Sequence, residues 1–226
     1  MQYALYGFLL GFIIPYMARR FAKFMPASAA ESIWHLLYPH KLVEPQKRQK
    51  NARYRTLIKA YFWRSFIFGL TGALLFTAAK LHFEALGLPA ICAFLWALLL
   101  LFEIDYKTFL LPDVITIPLL IGGFCFSVFT GVWVLSAESA IGAATGFILP
   151  TLAELLIVWK YKNALGLGDI KLLAAIGAWL GVLPVIYVLL LSCIIFGSYA
   201  YLSKRKAGAF GPAIAPAAII VAFYIF

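Results

Sequence analysis

Long apolar stretches separated by short polar turns run through the whole chain and constrain its fold more than any other feature. Apolar residues make up 64% of the 226 residues and charged residues only 12%, which is typical of a chain that spans membranes. A helix needs about 17–25 mostly apolar residues to cross a bilayer. We therefore predict an all-α, polytopic integral membrane protein with about eight transmembrane helices. The predicted spans are 3–18, 61–79, 87–104, 114–131, 138–159, 170–184, 185–202 and 209–226.

Pro184 lies inside the long apolar stretch 170–202 and leaves an alternative in this count. Proline in a helix removes a backbone hydrogen bond and bends or ends the helix. We divide the stretch into two spans at this proline, and a single kinked span, seven spans in all, is the alternative.

Basic residues are distributed unevenly along the chain, whose formal net charge is +10. More than half of them lie between residues 19 and 59, and most others occur in the short loops near 107, 160 and 204. Cytoplasmic loops of membrane proteins are rich in lysine and arginine, so we place these loops in the cytoplasm and the N-terminus outside. Of the 19 basic residues, only Lys80 then falls on the outer side. We expect the loops to contact anionic lipid and expect no nucleic acid partner, because no recognition motif accompanies the charge.

The same pattern divides the chain into two parts. Residues 1–60 hold the first helix and the basic loop, and residues 61–226 hold the remaining spans.

The three cysteines lie inside apolar runs without any Cys-x-x-Cys pair, and the three histidines are scattered. We therefore predict no metal site and no cofactor. The sequence indicates no particular oligomeric state.

Three aspartates, Asp105, Asp113 and Asp169, lie where a long apolar run meets a short polar turn. A carboxylate at the edge of hydrocarbon is energetically expensive, which makes each of them a candidate for function. In the orientation above, all three lie at the cytoplasmic face. Two carboxylates held together can share one proton and activate water, which is the chemistry of an aspartic peptidase.

Two of these three positions also have a structural interpretation. Asp169 follows Gly-Leu-Gly and precedes an apolar helix, and Asp113 opens a span; aspartate is favoured at such N-cap positions. Asp105 instead ends a helix, where the helix dipole disfavours negative charge, so capping does not explain it. Gly166 and Gly168 would let the backbone of an extended peptide approach closely.

Three motifs connect these residues to a known family. They are Asp105-x7-Asp113, which ends in Leu-Pro-Asp, then Gly166-Leu-Gly168-Asp169-Ile-Lys171, and then Phe210-Gly211-Pro212 before the last span. Together they resemble the type IV prepilin peptidases, which are GxGD-type membrane aspartic peptidases. The resemblance implies that Asp105 and Asp169 are the catalytic pair. The residues that we assign to substrate binding or to support of the pair are Asp113, Gly166, Gly168 and Lys171.

The resemblance also implies a reaction and a compartment. Such an enzyme is an aspartic endopeptidase of the bacterial inner (cytoplasmic) membrane. It removes the basic leader of type IV prepilins or pseudopilins, the subunits of type IV pili and type II secretion systems, at the cytoplasmic face. One carboxylate takes a proton from water while the other donates a hydrogen bond to the scissile carbonyl.

The first part of the chain departs from the family's pattern. Many bacterial members carry two Cys-x-x-Cys pairs in the first cytoplasmic loop and a Gly-x-x-x-Asn motif near the first helix. This loop has no cysteine, and Gly11 is followed by Pro15 at the place of the asparagine. The family's second activity transfers a methyl group from S-adenosylmethionine to the new pilin N-terminus. We predict that this chain cleaves but methylates poorly or not at all.

Two functions of other classes are the alternatives. In an ion- or proton-coupled transporter, Asp105, Asp169 and Glu154 would line an ion path; acids at the bilayer midplane and repeated halves with broken helices would indicate it, and neither is evident. A catalytically silent scaffold of a pilus or secretion apparatus would tolerate asparagine at both aspartates.

Overall fold

The computed structural model describes residues 1–24, 52–83, 87–131, 133–158, 166–203 and 208–225. All regular structure in these ranges is α-helical. The helices are α1 (Gln2–Phe24), α2 (Ala52–His82), α3 (Leu88–Thr108), α4 (Asp113–Thr130), α5 (Ser136–Val158), α6 (Leu167–Leu180), α7 (Val182–Ser203) and α8 (Gly211–Ile225).

Five helices in the described ranges are long and apolar enough to cross a membrane, by length and composition. They comprise Lys59–His82 of α2, Ser136–Leu156 of α5, and the whole of α3, α4 and α7. Helix α8 is apolar but has only 15 residues, and α6 has 14. The prediction of an all-α, polytopic membrane protein is confirmed, whereas the spans assigned to α1, α6 and α8 stay predictions.

The boundaries of two predicted spans differ from those of the helices. Helix α2 begins at Ala52, nine residues before the predicted span at 61, so part of the basic loop is helical. The stretch 170–202 is divided at Gly181, where φ is +87°, and not at Pro184. Glycine adopts this backbone conformation without a Cβ clash. Pro184 lies in the first turn of α7, where its missing N–H removes no helical hydrogen bond.

The chain forms two compact units, Met1–Leu81 and His82–Phe226. In the first unit, α1 and α2 pack with their backbones in close contact. A Cβ added at Gly7 would clash with the carbonyl oxygen of Gly72, and one at Gly11 would clash with that of Phe68. Residues 25–51 of the predicted first domain lie outside the described ranges, so the boundary at residue 60 stays a prediction.

The second unit is built around α6. All the residues of α6 from Leu172 to Leu180 are buried, and α4, α5, α7 and α8 all pack on this helix. Its contact with α5 is closest, because a Cβ at Gly177 would clash with the carbonyl oxygen of Gly142. Trp179 donates a hydrogen bond from Nε1 to the carbonyl of Leu119 in α4 at 2.8 Å. The shortest helix in the described ranges is therefore the core of this unit.

Four helix ends meet at one end of the second unit. The C-terminal end of α3 and the N-terminal ends of α4, α6 and α8 are joined by contacts of Asp105 with Gly211, Leu111 with Gly168, and Asp113 with Lys171. The motifs identified in the sequence all lie at this junction.

Candidate active site

Asp105 lies one turn before the end of α3 and is 4% exposed. The helix ends at Phe109, whose left-handed φ of 57° is unusual for a bulky side chain. The N–H of Phe109 donates to the Asp105 carbonyl at 2.9 Å, and the Thr108 hydroxyl donates to the Ile104 carbonyl at 2.8 Å. These bonds fix the backbone that carries the Asp105 carboxylate.

The carboxylate of Asp105 is bound by the first residue of α8. The Gly211 N–H donates to Oδ2 of Asp105 at 2.9 Å. This N–H is one of the donors that a helix N-terminus leaves without an intrahelical partner. The positive end of the α8 dipole also faces the carboxylate, which offsets the unfavourable dipole of α3 that the sequence indicates. A Cβ at Gly211 would lie 2.6 Å from Oδ2, so only glycine allows this contact unchanged.

Asp169 is the third residue of α6, so the N-cap interpretation of its position is wrong. The N-cap is Gly166, whose N–H donates to Oδ2 of Asp169 at 3.3 Å. A Cβ at Gly166 would approach the same oxygen to 3.1 Å. The other oxygen, Oδ1, is buried without a hydrogen-bond partner in the described part of the protein. A buried acceptor without a partner is rare, and this oxygen is available to water or to a substrate.

Asp105 and Asp169 are close enough to interact electrostatically. Burial raises the pKa of Asp169 from its usual 3.8 to about 7, the negative charge of Asp105 acts in the same direction, and the hydrogen bond from Gly166 opposes both. Asp169 lies outside the five helices that qualify as spans. The structure thus brings together the two aspartates that the motifs single out, and one of them keeps a proton near neutral pH.

The other predicted site residues lie beside this pair. Lys171 contacts both carboxylate oxygens of Asp113, at 2.7 and 2.8 Å. Asp113 is not an N-cap, because Pro112 occupies that position and Asp113 is the first helical residue. Gly168 faces Leu111, whose Cβ would lie 2.9 Å from a Cβ at position 168. The role of these residues in substrate binding stays a prediction.

A third carboxylate lies near the pair and has its own partner. Glu103 is fully buried and forms an ion pair of 2.8 Å with Lys107, one helical turn further along α3. In the described ranges, no group of three or more histidine, cysteine or acidic side chains is close enough to hold a metal ion.

An apolar cavity of about 400 Å³ opens next to Asp105. Tyr106, which follows Asp105, and Pro212, which follows Gly211, both line it. Its volume is within the range of known ligand pockets. The remaining lining residues come from the end of α3, from α7 and from the start of α8, and they are Phe102, Phe109, Ile195, Phe196, Tyr199, Gly208, Ala209 and Ala213.

Comparison with known proteins identifies the part of the chain that contains both aspartates. Residues 92–201 match the type IV leader peptidase family. This segment belongs to that family. It extends from α3 to α7 and includes Asp105, Asp113 and the Gly166–Lys171 motif, as the sequence motifs predict.

Three relatives of the leader peptidase segment are named prepilin leader peptidase/N-methyltransferase. The Klebsiella pneumoniae protein is 40% identical over 116 residues, 49% of this chain and 49% of that protein. The Aeromonas hydrophila protein is 43% identical over 103 residues, 44% of this chain and 34% of that protein. The Dickeya chrysanthemi protein is 36% identical over 170 residues, 69% of this chain and 58% of that protein. The matched part of the chain therefore spans between 34% and 58% of the length of these relatives. No solved structure is significantly similar.

Gly211 is the site residue that the motifs did not assign. The sequence indicates no role for Phe210-Gly211-Pro212 beyond the family resemblance, and the leader peptidase match ends at residue 201. A signal was present, because a glycine directly before a proline and an apolar run marks a helix start. Its partner could not be read from the sequence, since the bond joins residues 106 positions apart.

Proposed function

We propose that this protein is an aspartic endopeptidase that removes the leader of type IV prepilins or pseudopilins. The observation that carries the proposal is the electrostatic interaction of Asp105 and Asp169 at the junction of four helix ends, where Oδ1 of Asp169 has no hydrogen-bond partner among the described residues. The family match of the segment and the names of its relatives support the same activity. None of these comparisons supports the alternative of a transporter.

The two carboxylates would divide the chemistry between them. With a pKa of about 7, Asp169 holds the shared proton at neutral pH and donates a hydrogen bond to the scissile carbonyl. Asp105, held by Gly211, takes a proton from the attacking water. The water oxygen bonds to the carbon of the scissile carbonyl, and the amide bond then breaks as Asp105 passes the proton that it took to the nitrogen of the mature protein. The pair titrates as one system with two macroscopic pKa values.

The substrate consists of a basic leader followed by an apolar helix. The apolar cavity beside Asp105 provides a surface for the apolar part. The basic leader would remain at the membrane surface, where anionic lipid attracts it and offsets repulsion by the basic loops of the enzyme. Gly166 and Gly168 would serve the site by leaving room for Asp169 and Leu111.

The membrane is the bacterial inner membrane, with the N-terminus outside and the active site facing the cytoplasm. The distribution of basic residues supports this orientation. Labelling of single cysteines introduced at Lys107 and Lys80 tests it, because a membrane-impermeant thiol reagent should reach only position 80 from outside the cell. Variants with Cys92, Cys125 and Cys193 replaced by serine remove the background.

Co-expression with a candidate prepilin tests the activity. Leader removal should appear as a faster-migrating pilin band, and Asp105→Asn and Asp169→Asn should each abolish it. Asparagine can neither accept a proton from water nor share one, which explains the expected loss of activity. It keeps the size of the side chain, so both variants should remain inserted and abundant. Normal processing by either variant would rule out the aspartate pair as the catalytic centre.

A further inference from the structure

The two aspartates lie on helices whose backbones are not close neighbours. Helix α6 packs most closely on α5 and α4, whereas α3 packs chiefly on α8. The position of Asp169 relative to Asp105 is therefore set largely through other contacts. One of these is the hydrogen bond from Gly211 to Asp105. Two more join the turn after α3 to the first turn of α6.

Two contacts connect that turn to α6. Leu111 packs directly against Gly168, where a Cβ would approach the Leu111 Cβ to 2.9 Å. Asp113 lies two residues after Leu111 and Lys171 three residues after Gly168, and the Lys171 ammonium group contacts both carboxylate oxygens of Asp113. Asp169 lies between Gly168 and Lys171, so these contacts fix the chain on both sides of it.

We propose that Asp113 and Lys171 form a positioning pair, which holds the first turn of α6 so that Asp169 stays in register with Asp105. This inference rests on the proposed peptidase function. Neither residue touches the reacting atoms: both act through the backbone that carries Asp169.

The exposure of both side chains indicates that the ion pair contributes more to the position of Asp169 than to folding stability. The side chains of Lys171 and Asp113 are 36% and 52% exposed, and exposed ion pairs contribute little to folding. The catalytic rate is more sensitive than folding stability to loss of the ion pair, since a displacement of about 1 Å at a reacting group can reduce the rate about 100-fold. Loss of the pair should therefore reduce kcat and leave the thermal midpoint of unfolding nearly unchanged.

The test uses the purified full-length protein, a synthetic prepilin peptide and four variants. Asp113→Asn and Lys171→Gln should each lower kcat by about 10- to 100-fold with little change in KM. The double variant Asp113→Asn/Lys171→Gln should be no worse than either single variant. The charge swap Asp113→Lys/Lys171→Asp should recover most of kcat, because it restores the ion pair with its charges exchanged. An unchanged thermal midpoint of unfolding in the single variants separates the positioning role from a merely structural one, which would lower the midpoint together with kcat.

Glu138→Gln is the matched control, because Glu138 is also an exposed acid in the first turn of a helix, α5. It removes the same helix-dipole interaction without touching the junction and should retain wild-type kcat. Wild-type kcat in both single variants would overturn the inference, as would additive losses without rescue by the swap. A rise in KM alone would also overturn it and would assign the two residues to substrate binding.

A second readout does not depend on cleavage. Leu111→Cys/Gly168→Cys, in a background without the native cysteines, starts from a Cβ–Cβ distance of 2.9 Å, and a shift of about 1 Å gives the separation of about 3.5–4.5 Å that a disulfide requires. Oxidative cross-linking should be fast with the ion pair intact and slower with Asp113→Asn; equal rates would contradict the inference. If the wild type cleaves no prepilin while cross-linking depends on Asp113, then the proposed function fails and the positioning role of the pair stands.

Discussion

Asp105 obtains both its orientation and its solvation from a backbone donor on another helix. A buried carboxylate without such a donor is costly, and charge-assisted hydrogen bonds are the strong ones in proteins. The Gly211 N–H supplies this bond at 2.9 Å. At the scale of single residues, the site therefore depends on a glycine as much as on its two acids.

Gly211→Ala should strongly reduce the proposed peptidase activity. The added methyl group would lie 2.6 Å from Oδ2 of Asp105, so either the carboxylate or the start of α8 must move. We expect kcat for prepilin cleavage to fall about 100-fold. Gly197→Ala in α7 is the control, because nothing lies within 4 Å of its added Cβ. Equal activity of the two variants would show that the Gly211 contact is dispensable.

Activity should decline as the pH rises above neutrality. The pKa of Asp169 is raised to about 7, so the proton that it donates is present below this value and lost above it. Plots of kcat/KM against pH should show an alkaline limb with an apparent pKa of about 7. A rate that stays constant from pH 6 to pH 9 would contradict the assignment of the proton.

The free energy of unfolding should also depend on the protonation of Asp169. Unfolded Asp169 has the usual pKa of 3.8 and the folded residue about 7, so the folded state binds the proton more tightly. This contribution to stability is fully present below about pH 4 and is lost as the pH rises through about 7. Thermal unfolding of Asp169→Asn should therefore depend less on pH than that of the wild type.

The sequence singles out the two aspartates more readily than it predicts the contacts around them. Asp105 and Asp169 are recognisable because few acids occur at the ends of apolar runs. The N-cap interpretation of Asp113 failed because Pro112, with φ −71° and ψ 129°, already occupies the capping position. The ion pair with Lys171 joins residues 58 positions apart, and no local pattern specifies such a contact.

At the scale of helices, the packing of α5 on α6 depends on glycine. The carbonyl of Gly142 lies where a side chain at Gly177 would begin, and that of Leu173 does the same at Gly146. Small residues let membrane helices approach closely, and van der Waals packing then holds them together. Helix α6 can be enclosed by its neighbours because these residues are small.

Gly177→Ala should destabilise the protein by about 1–3 kcal/mol, the usual cost of overpacking. The measurement is the midpoint of unfolding in detergent micelles. Gly122→Ala is the control, since its added Cβ would meet only Trp179 Cζ2 at 3.6 Å, an ordinary contact. A lower midpoint in the control, or an unchanged one in Gly177→Ala, would contradict this account of the α5–α6 contact.

Helix positions follow from the apolar pattern, but helix contacts do not. Seven of the eight predicted spans each overlap one observed helix, and 170–184 overlaps α6 and the start of α7. The agreement is close because the length of an apolar run is a local property. Helices such as α7 are apolar all round, and lipid is as apolar as a protein interior. The sequence therefore does not show which faces are buried, or that α6 is central.

At the scale of the whole molecule, we predict cleavage with little or no methylation. The relatives are named for both activities, but this chain lacks the cysteines of the first loop and has Pro15 at the place of the asparagine. Proline also removes a backbone donor there. Mass spectrometry of processed pilin from cells that carry only this enzyme should show an unmodified N-terminus. A terminus heavier by one methyl group would refute the prediction.

The bond between Gly211 and Asp105 has a consequence for biosynthesis. Its donor is translated 106 residues after its acceptor, a delay of about 5–20 seconds at ordinary elongation rates. Until α8 leaves the ribosome, the Asp105 carboxylate has no N–H from Gly211 and the four helix ends cannot all meet. The nascent chain should therefore pass through membrane insertion as an inactive protein, and proteolytic competence should begin only when α8 joins the bundle.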